Sequence, residues 1–188
     1  MDFPILSTLI FLPLVSSLFI FLSRGQKKNN NSAIYISLFS SLATFILSLF
    51  IWYSMDHTSA DFQFLEDQSW INDFIKFKLG VDGISILFIV LTTLITPICI
   101  VSCVNSVKNR VKEFLIAILI LETFMIGVFC SLDLVVFYLF FEAGLIPMFL
   151  IIGVWGGPRR VYSAFKFFLF TLLGSVLMLV AIIAIYWI

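Results

Sequence analysis

Six long apolar runs, separated by shorter polar segments, make up most of the chain. They cover residues 3–22, 33–55, 83–106, 114–131, 133–153 and 161–187. Each run is close to the roughly 20 residues that an α-helix needs to cross the hydrocarbon core of a bilayer. A helix satisfies its own backbone hydrogen bonds in lipid, which an open strand cannot do. The pattern therefore predicts six transmembrane helices.

The break between the fourth and fifth runs is unusually short. It consists of Ser131, Leu132 and Asp133, which predicts a tight helical hairpin. An Asp at the start of a helix can accept hydrogen bonds from the first free backbone N–H groups. We therefore expect Asp133 to cap the fifth helix.

The segment 56–82 is the long polar break, and it is too polar to span a membrane. The partial alternation of polar and apolar residues from Phe74 to Leu79 indicates a short strand. Asp82 stands just before the third run and is predicted to cap its helix. His57 is predicted to be an exposed loop residue rather than a proton or metal site.

The composition leads to the same class of protein. Hydrophobic residues make up 62% of the 188 positions and charged residues 12%, against about 45–50% and 25% in an average globular chain. Such a chain cannot cover a water-soluble surface, so we interpret residues 1–188 as one all-α polytopic membrane domain. The formal net charge is zero, and no basic patch is interleaved with aromatic residues, which excludes a nucleic-acid binder.

Lysine and arginine residues fall mainly into alternate loops. The loops after the first, third and fifth runs hold eight of them: Arg24, Lys27, Lys28, Lys108, Arg110, Lys112, Arg159 and Arg160. The loop after the second run holds two, Lys76 and Lys78. By the positive-inside rule the first set is predicted to face the matrix or cytoplasm. Both chain ends are then predicted on the outer side, in the intermembrane space or periplasm.

Four charged residues lie outside the loops, and besides the predicted cap Asp133 these are Glu122, Glu142 and Lys166. A charge at the centre of a membrane helix costs at least about 2.5–3.5 kcal/mol on insertion scales, so a functional role is the default interpretation. Glu122 and Glu142 are each about ten residues, or about 15 Å, from the predicted hairpin turn. Both are therefore candidates for proton transfer near mid-membrane. A buried structural hydrogen bond is the alternative for each.

Glu142 has an additional feature in the nearby Pro147. Proline has no N–H to bond the carbonyl of Ala143, so we expect a kink just past the carboxylate. A freed carbonyl and a kink admit water or a second polar side chain to a buried acid. Lys166 is shallower and can snorkel towards the basic side, with a role in proton transfer as the alternative.

Other residue patterns predict packing rather than chemistry. Thr171, Gly174 and Ser175 form a stripe of small residues that we expect to be a helix-packing surface. The cysteines at 99, 103 and 130 form no metal or disulfide spacing. The sequence shows no nucleophile set, phosphate loop, haem ligand pair or iron–sulfur spacing. We therefore expect no cofactor or metal in this chain, whose buried acids and kink suit the movement of protons.

The stretch 132–148, with the sequence LDLVVFYLFFEAGLIPM, resembles the fifth helix of subunit 4 of complex I, the proton-pumping NADH:ubiquinone oxidoreductase. Shorter stretches resemble the third helix, the following loop and the sixth helix of the same family: GVDGIS at 80–85, WGG at 155–157, RR at 159–160, AFKFF at 164–168 and LGS at 173–175. The antiporter-like subunits of multi-subunit sodium/proton antiporters are similar too.

The resemblance implies a chain that moves protons without redox chemistry of its own. In the family, the glutamate of the fifth helix, here Glu142, pairs with a lysine on the seventh helix, and the pair helps couple quinone reduction to proton translocation. Flavin, iron–sulfur clusters and quinone would be bound by partner subunits. Family members have about fourteen helices arranged as repeats. We therefore expect a second chain with the remaining helices of a split subunit, a gene fragment or truncation being the alternative.

The expected surroundings are the other membrane subunits of complex I and the lipid bilayer. Abundant Phe, Ile and Asn, and no expected transit peptide, favour an organelle-encoded protein of the mitochondrial inner membrane, with the bacterial plasma membrane as the alternative. Two other functions stay open. The chain could be a sodium/proton antiporter subunit, or a structural fragment whose acids only form hydrogen bonds with their neighbours.

Overall fold

Six long helices account for most of the structure, a computed structural model that describes residues 4–22, 30–56, 58–59, 61–71 and 75–187. All six are long and apolar enough to cross a membrane, so the chain is a multi-pass membrane protein, as predicted. Their bounds are α1 Ile5–Leu22, α2 Asn30–Ser54, α3 Ser85–Ser106, α4 Val111–Cys130, α5 Leu134–Trp155 and α6 Arg160–Trp187. The largest shifts from the predicted bounds are at α2 and α4, which both begin three residues earlier than predicted, so that α4 includes Lys112 and Glu113 in its first turn.

The helices α1 to α4 pack against one another, α5 packs on α4, and α6 packs on α5. The first four helices share two clusters of buried apolar side chains, one towards each end of the bundle. One cluster is built around Leu9, Ile51, Ile89 and Ile126. The other is built around residues such as Ile100 and Leu115, nearer the α3–α4 loop.

A β-hairpin closes one end of the bundle. Its strands are β1, Gln63–Ile71, and β2, Ile75–Val81, and they pair antiparallel. The side chains of Leu79 and Val81 are fully buried in the first apolar cluster. The strand predicted from the 74–79 alternation is confirmed over 75–79, while Phe74 lies outside the described residues. β1 was not predicted from the sequence, because its polar and apolar residues do not alternate strictly.

Glu66 on β1 ties the hairpin to the start of α1. Its carboxylate accepts hydrogen bonds from the backbone N–H of Leu6 at 2.7 Å and of Ser7 at 3.1 Å, and from the Ser7 hydroxyl. The first N–H groups of a helix have no partner within the helix. Glu66 therefore acts as a capping group supplied from a distant part of the chain.

Both predicted aspartate caps are confirmed. Asp133 accepts hydrogen bonds from the N–H of Val135 at 2.8 Å and of Val136 at 3.2 Å. Asp82 accepts from the N–H of Ser85 at 2.7 Å, and the Ser85 hydroxyl accepts from the Asp82 N–H at 3.0 Å. The hydrogen bond from the Ser85 N–H, followed by the Ser85 side chain, holds the pKa of the Asp82 carboxyl below its ordinary value of 3.8.

The loops sort to two ends of the bundle. The Trp155 indole N–H donates to the carbonyl of Asn109 at 3.0 Å, which places the α3–α4 and α5–α6 loops together. At the other end, the N–H of Leu132 donates to the carbonyl of Lys78 at 3.0 Å, which joins the hairpin to the α4–α5 turn. Residues 23–29 and His57, with the predictions made for them, lie outside the described residues.

Of the predicted packing surface on α6, Ser175 is buried within this chain and Gly174 is not. A Cβ at Gly174 would meet no atom within 4 Å, whereas Ser175 is only 2% exposed. The face of α6 that contacts α5 passes through Ala164, Phe168 and Ser175, spaced four and seven residues apart. Because successive helical residues differ by about 100°, Gly174 points to one side of that face.

Candidate functional site

Glu122 is held in the interior of the first four helices. Its side chain is 2% exposed, and α4 presents it towards α2 and α3. The Thr44 hydroxyl of α2 lies 3.1 Å from Oε1 of Glu122. The Thr96 hydroxyl of α3 also faces the carboxyl group. Within the described residues the other oxygen, Oε2, is buried and has no hydrogen-bond partner.

Hydroxyl groups that were not predicted from the sequence line the interior around Glu122. Ser48 of α2 and Thr93 of α3 bond each other at 2.8 Å, and Ser40 Oγ is buried without a partner among the described residues. The buried hydroxyls of α2 recur three or four residues apart: Ser37, Ser40, Ser41, Thr44 and Ser48. That spacing marks one helix face, so the pattern was readable in the sequence.

Glu142 lies in a different setting, on the face of α5 that packs against α6. It stands seven residues before Phe149 and eleven before Gly153, which contact Phe165, Phe168 and Ala164 of α6. Residues with these spacings share one side of a helix. The carboxyl is half-buried, and its Oε2 is buried without a hydrogen-bond partner among the described residues.

The antiparallel register of α5 and α6 shows what lies level with Glu142. Gly153 faces Ala164, and Phe149 faces Phe168. Continuing this pairing for seven residues on each helix brings Glu142 level with Ser175, which is 2% exposed. The Ser175 hydroxyl bonds the carbonyl of Leu172 at 2.9 Å, so it can still accept a hydrogen bond from another group.

Lys166 is not placed to pair with Glu142. It is exposed and lies nine residues before Ser175 on α6, about 13 Å along the helix axis. This position fits the snorkelling interpretation, and the structure does not bring Lys166 to either carboxylate. Pro147 is buried within α5, which continues through it; the kink expected there stays a prediction.

The two glutamates are at similar depth but point to different sides. Phe124 of α4 contacts Phe140 of α5, so each glutamate is two residues from this contact. Glu122 bonds α2, whereas Glu142 shares the α6-facing side of α5. Among the described residues no group of three or more His, Cys, Asp and Glu side chains could hold a metal ion. The absence of a cofactor from this chain stays a prediction.

The fold and these carboxyl groups define a polytopic membrane protein with ionisable residues at mid-membrane. The family described as NADH:quinone oxidoreductase/Mrp antiporter, transmembrane part, matches residues 131–188. Subunit M of the NADH-quinone oxidoreductase of Rhodobacter capsulatus is 53% identical over 184 residues, which are 97% of this chain and 36% of that protein. NADH-ubiquinone oxidoreductase chain 4 of Marchantia polymorpha is 48% identical, over 97% of this chain and 37% of that protein.

Solved structures share the fold. A chain of respiratory complex I from Thermus thermophilus with bound NADH matches 95% of this chain and 35% of its own length, with a TM-score of 0.78 and 28% identity. An archaeal membrane-bound sulfane sulfur reductase matches with a TM-score of 0.77 at 21% identity, which bears on the fold alone. The chain belongs to the antiporter-like membrane subunits of NADH:quinone oxidoreductase, and it spans 36–39% of the length of the curated relatives.

Proposed function

We propose that the chain is part of a proton-translocating membrane-arm subunit of respiratory NADH:quinone oxidoreductase, in which Glu142 carries protons. The observation that supports this proposal most directly is the Glu142 carboxyl at mid-membrane, with one buried oxygen that no described residue bonds. It lies inside residues 131–188, the segment that matches the NADH:quinone oxidoreductase/Mrp antiporter family. In this account the chain itself performs no redox chemistry and binds no redox cofactor.

In the proposed mechanism, a positive charge near the Glu142 carboxyl group changes its position. Removal of water disfavours the charged form of a carboxyl group, and an approaching cation favours it again. Movement of a cation towards Glu142 would therefore release a proton from the carboxyl group. Withdrawal of the cation would let the carboxylate take up a proton again. Lys166 is exposed and not level with Glu142, so the proposal assigns the cation to a lysine of another helix, outside this chain.

A conservative substitution tests the role of Glu142. Glu142→Gln keeps the shape of the side chain and removes its ability to bind and release a proton. We expect proton pumping and coupled quinone reductase activity to fall about tenfold or more, since a positioned proton-transfer group contributes that much. The measurement is fluorescence quenching by a pH-sensitive dye in NADH-energised membrane vesicles.

The matched control is Glu113→Gln. Glu113 is 53% exposed and pairs with Arg110 at 2.7 Å, so its loss should leave pumping unchanged. Unchanged coupled turnover in Glu142→Gln, with normal assembly on native gels, would contradict the proposal. It would favour the structural alternative, in which the acid only forms hydrogen bonds and in which enlarging the buried Ser175 disturbs assembly.

The second candidate function is a subunit of a sodium/proton antiporter. The family description that matches α5 and α6 names both kinds of complex. Native-gel separation of detergent-solubilised membranes, followed by mass spectrometry of the band with this chain, separates the two. Flavin and iron–sulfur subunits in that band support the respiratory complex, and antiporter subunits without them support the exchanger.

We further propose where the chain resides and how it is oriented. Its relatives come from bacteria and from a plant and a fungus, and the composition favours the mitochondrial inner membrane over a bacterial plasma membrane. The basic α3–α4 and α5–α6 loops would face the matrix or cytoplasm, with the β-hairpin and both chain ends opposite. Labelling of residues in each loop from one side of sealed vesicles tests this orientation.

A further inference from the structure

Two cavities meet at the end of α3, one lined by basic side chains and one mainly by apolar side chains. We propose that together they bind one anionic phospholipid from the leaflet on the side of the α3–α4 loop, with its phosphate in the basic cavity and one acyl chain in the apolar cavity. The basic cavity encloses about 470 Å³ and the apolar cavity about 510 Å³, and Ser106 and Val107 line both. Lipid binding at this place does not depend on the proposed function.

The basic cavity is lined by three exposed cationic side chains, those of Lys108, Arg110 and Arg160. Among the described residues the Lys108 side chain has no ion pair or hydrogen bond. Arg110 Nε bonds Glu113 at 2.7 Å, and Arg160 Nη1 donates to the carbonyl of Val154 at 2.7 Å. A guanidinium has five N–H donors, so both arginines keep donors for a phosphate. Basic pockets of this kind between transmembrane helices suit anionic lipid headgroups.

Trp155 lies where the two cavities meet. Its indole N–H donates to the carbonyl of Asn109 at 3.0 Å, and its ring contacts the ring of Phe114 edge-on, with 5.1 Å between the ring centres. Trp155 lines the basic cavity and Phe114 lines the apolar one. Tryptophan is enriched at the level of the lipid headgroups. The change from basic to apolar lining across this contact therefore matches the change from headgroup to acyl chain.

The apolar cavity is a groove between α3, α4 and α5. Its lining includes Ile95, Ile118, Leu121, Met125, Met148 and Ile151. Three hydroxyls of α3 also line it, and they donate to carbonyls of their own helix at 2.8 to 3.2 Å. Hydrocarbon can therefore cover this wall of the groove without leaving these hydroxyl donors buried and unsatisfied.

Glu122 lies at the inner end of the groove and does not obstruct an acyl chain. Its side chain is 2% exposed, and its Oε1 lies 3.1 Å from the Thr44 hydroxyl of α2. The acid is therefore turned into the interior of the first four helices. The groove presents no exposed carboxyl group that would repel an anionic lipid.

The dimensions of the groove fit an acyl chain. From Ser106 to Thr92 it extends about 21 Å along α3, more than the roughly 15 Å of hydrocarbon in one leaflet. Beyond Met125 and Met148 a second apolar cavity of about 730 Å³ continues towards the α4–α5 turn, so the end of the chain also meets apolar surface. A helix 10 Å wide would occupy about 1,600 Å³ over 21 Å. The groove is therefore too narrow to seat another transmembrane helix.

Photoreactive phospholipids give a direct test. Membrane vesicles that contain the assembled protein take up a trace of phosphatidylglycerol or phosphatidylcholine, each with a photoreactive diazirine in the middle of the same acyl chain. Only the headgroup charge differs in sign-dependent binding to the basic cavity. After illumination, mass spectrometry of peptides from this chain should show the groove-lining residues of α3 labelled at least tenfold more by the anionic probe, because each basic residue near the headgroup contributes about a factor of five.

Two results would overturn the inference. Equal labelling of the groove by the two probes would show that hydrocarbon enters without recognition of the headgroup. An absence of label from the groove, with label on the exposed Val101 of the same helix, would show that another part of the protein covers the groove.

A pair of charge variants tests the basic cavity. Lys108→Gln should lower the ratio of anionic to zwitterionic labelling about fivefold. The matched control is Arg159→Gln, which removes one charge from an exposed residue that does not line the cavity, and the ratio should not change. An equal fall in both variants would assign the preference to the general charge of this membrane side and overturn the site.

A pair of bulky substitutions tests the groove. Ser102 is exposed and lines it, whereas the neighbouring Val101 is 57% exposed and does not. In preparations with normal assembly on native gels, Ser102→Phe should lower labelling of the groove by the anionic probe several-fold, because the ring fills the space of the acyl chain. Val101→Phe should leave the labelling unchanged. Undiminished labelling in Ser102→Phe would overturn the placement of the acyl chain.

Discussion

The first four helices and the last two bury their apolar surface to different extents. In the most apolar window of α4, 44% of the residues are buried within the chain, against 17% in α5 and 6% in α6. The region α1–α4 is a closed packing unit with its own polar interior. The pair α5–α6 presents most of its side chains outwards, to lipid or to another protein. Each region nevertheless carries one mid-membrane glutamate.

The comparison shows how much of each glutamate's environment this chain supplies. Glu122 lies 3.1 Å from the Thr44 hydroxyl of α2 and faces the Thr96 hydroxyl of α3, both on neighbouring helices of the same chain. Glu142 has Ser175 at its level on α6 but no hydrogen bond from a described residue to its buried oxygen. A substitution in the first region should therefore change stability, whereas a substitution in the second should change function through whatever packs outside.

Alanine substitutions at two glycines should give the largest difference in stability between the two regions. A Cβ at Gly127 of α4 would stand 2.6 Å from the ring of Phe140, whereas one at Gly174 of α6 would meet nothing within 4 Å. Gly127→Ala should lower the unfolding free energy by up to about 3 kcal/mol, because a packed α4–α5 contact must open. Gly174→Ala should be neutral or slightly stabilising. Thermal unfolding of both variants in detergent, followed by tryptophan fluorescence, measures the difference, and equal effects would contradict the division into two regions.

Valine substitutions at two threonines should give a smaller difference in stability between the two regions. Thr44→Val removes the hydroxyl beside Glu122 and leaves a buried acceptor with one donor fewer, which should cost about 1 kcal/mol or more. Thr171 on α6 bonds only carbonyls of its own helix among the described residues, so Thr171→Val should cost less than about 0.5 kcal/mol. The check is the midpoint of thermal unfolding for each variant. A larger loss in Thr171→Val would show that α6 depends on polar packing.

The smallest expected effect concerns the cap of α3. The pKa of Asp82 is lowered by the Ser85 N–H, so its contribution to stability is present above the ordinary aspartate pKa and is lost as the pH falls through the lowered value. At neutral pH the protein should be slightly more stable than Asp82→Ala. The difference should begin to shrink below about pH 4 and vanish only below the lowered pKa of the Asp82 carboxyl. Unfolding midpoints measured between pH 3 and 7 test this, and a constant difference would exclude the carboxylate as its source.

Local features of the structure were predictable from the sequence, and distant contacts were not. The six helices follow from the length of the apolar runs, and the caps at Asp82 and Asp133 follow from residues two or three positions away. Thr44 and Glu122 are 78 positions apart, and Glu66 and Leu6 are 60 apart. Neither contact can be recognised from the residues that neighbour its two partners in the sequence. A helical wheel gives relative directions without showing where the neighbouring helix lies, so the sequence did not tell which residues of the α6 stripe pack within this chain.

The capping of α1 by Glu66 has a consequence for the order of events during synthesis. The acceptor for the N–H groups of Leu6 and Ser7 is encoded about 60 residues later. At typical elongation rates of about 5–20 residues per second, the ribosome needs roughly 3–12 s to make that stretch. For that time the start of the first helix must bond water or lipid head groups. The hairpin then replaces them, so the amino end of the protein reaches its final form only after the second helix has been made.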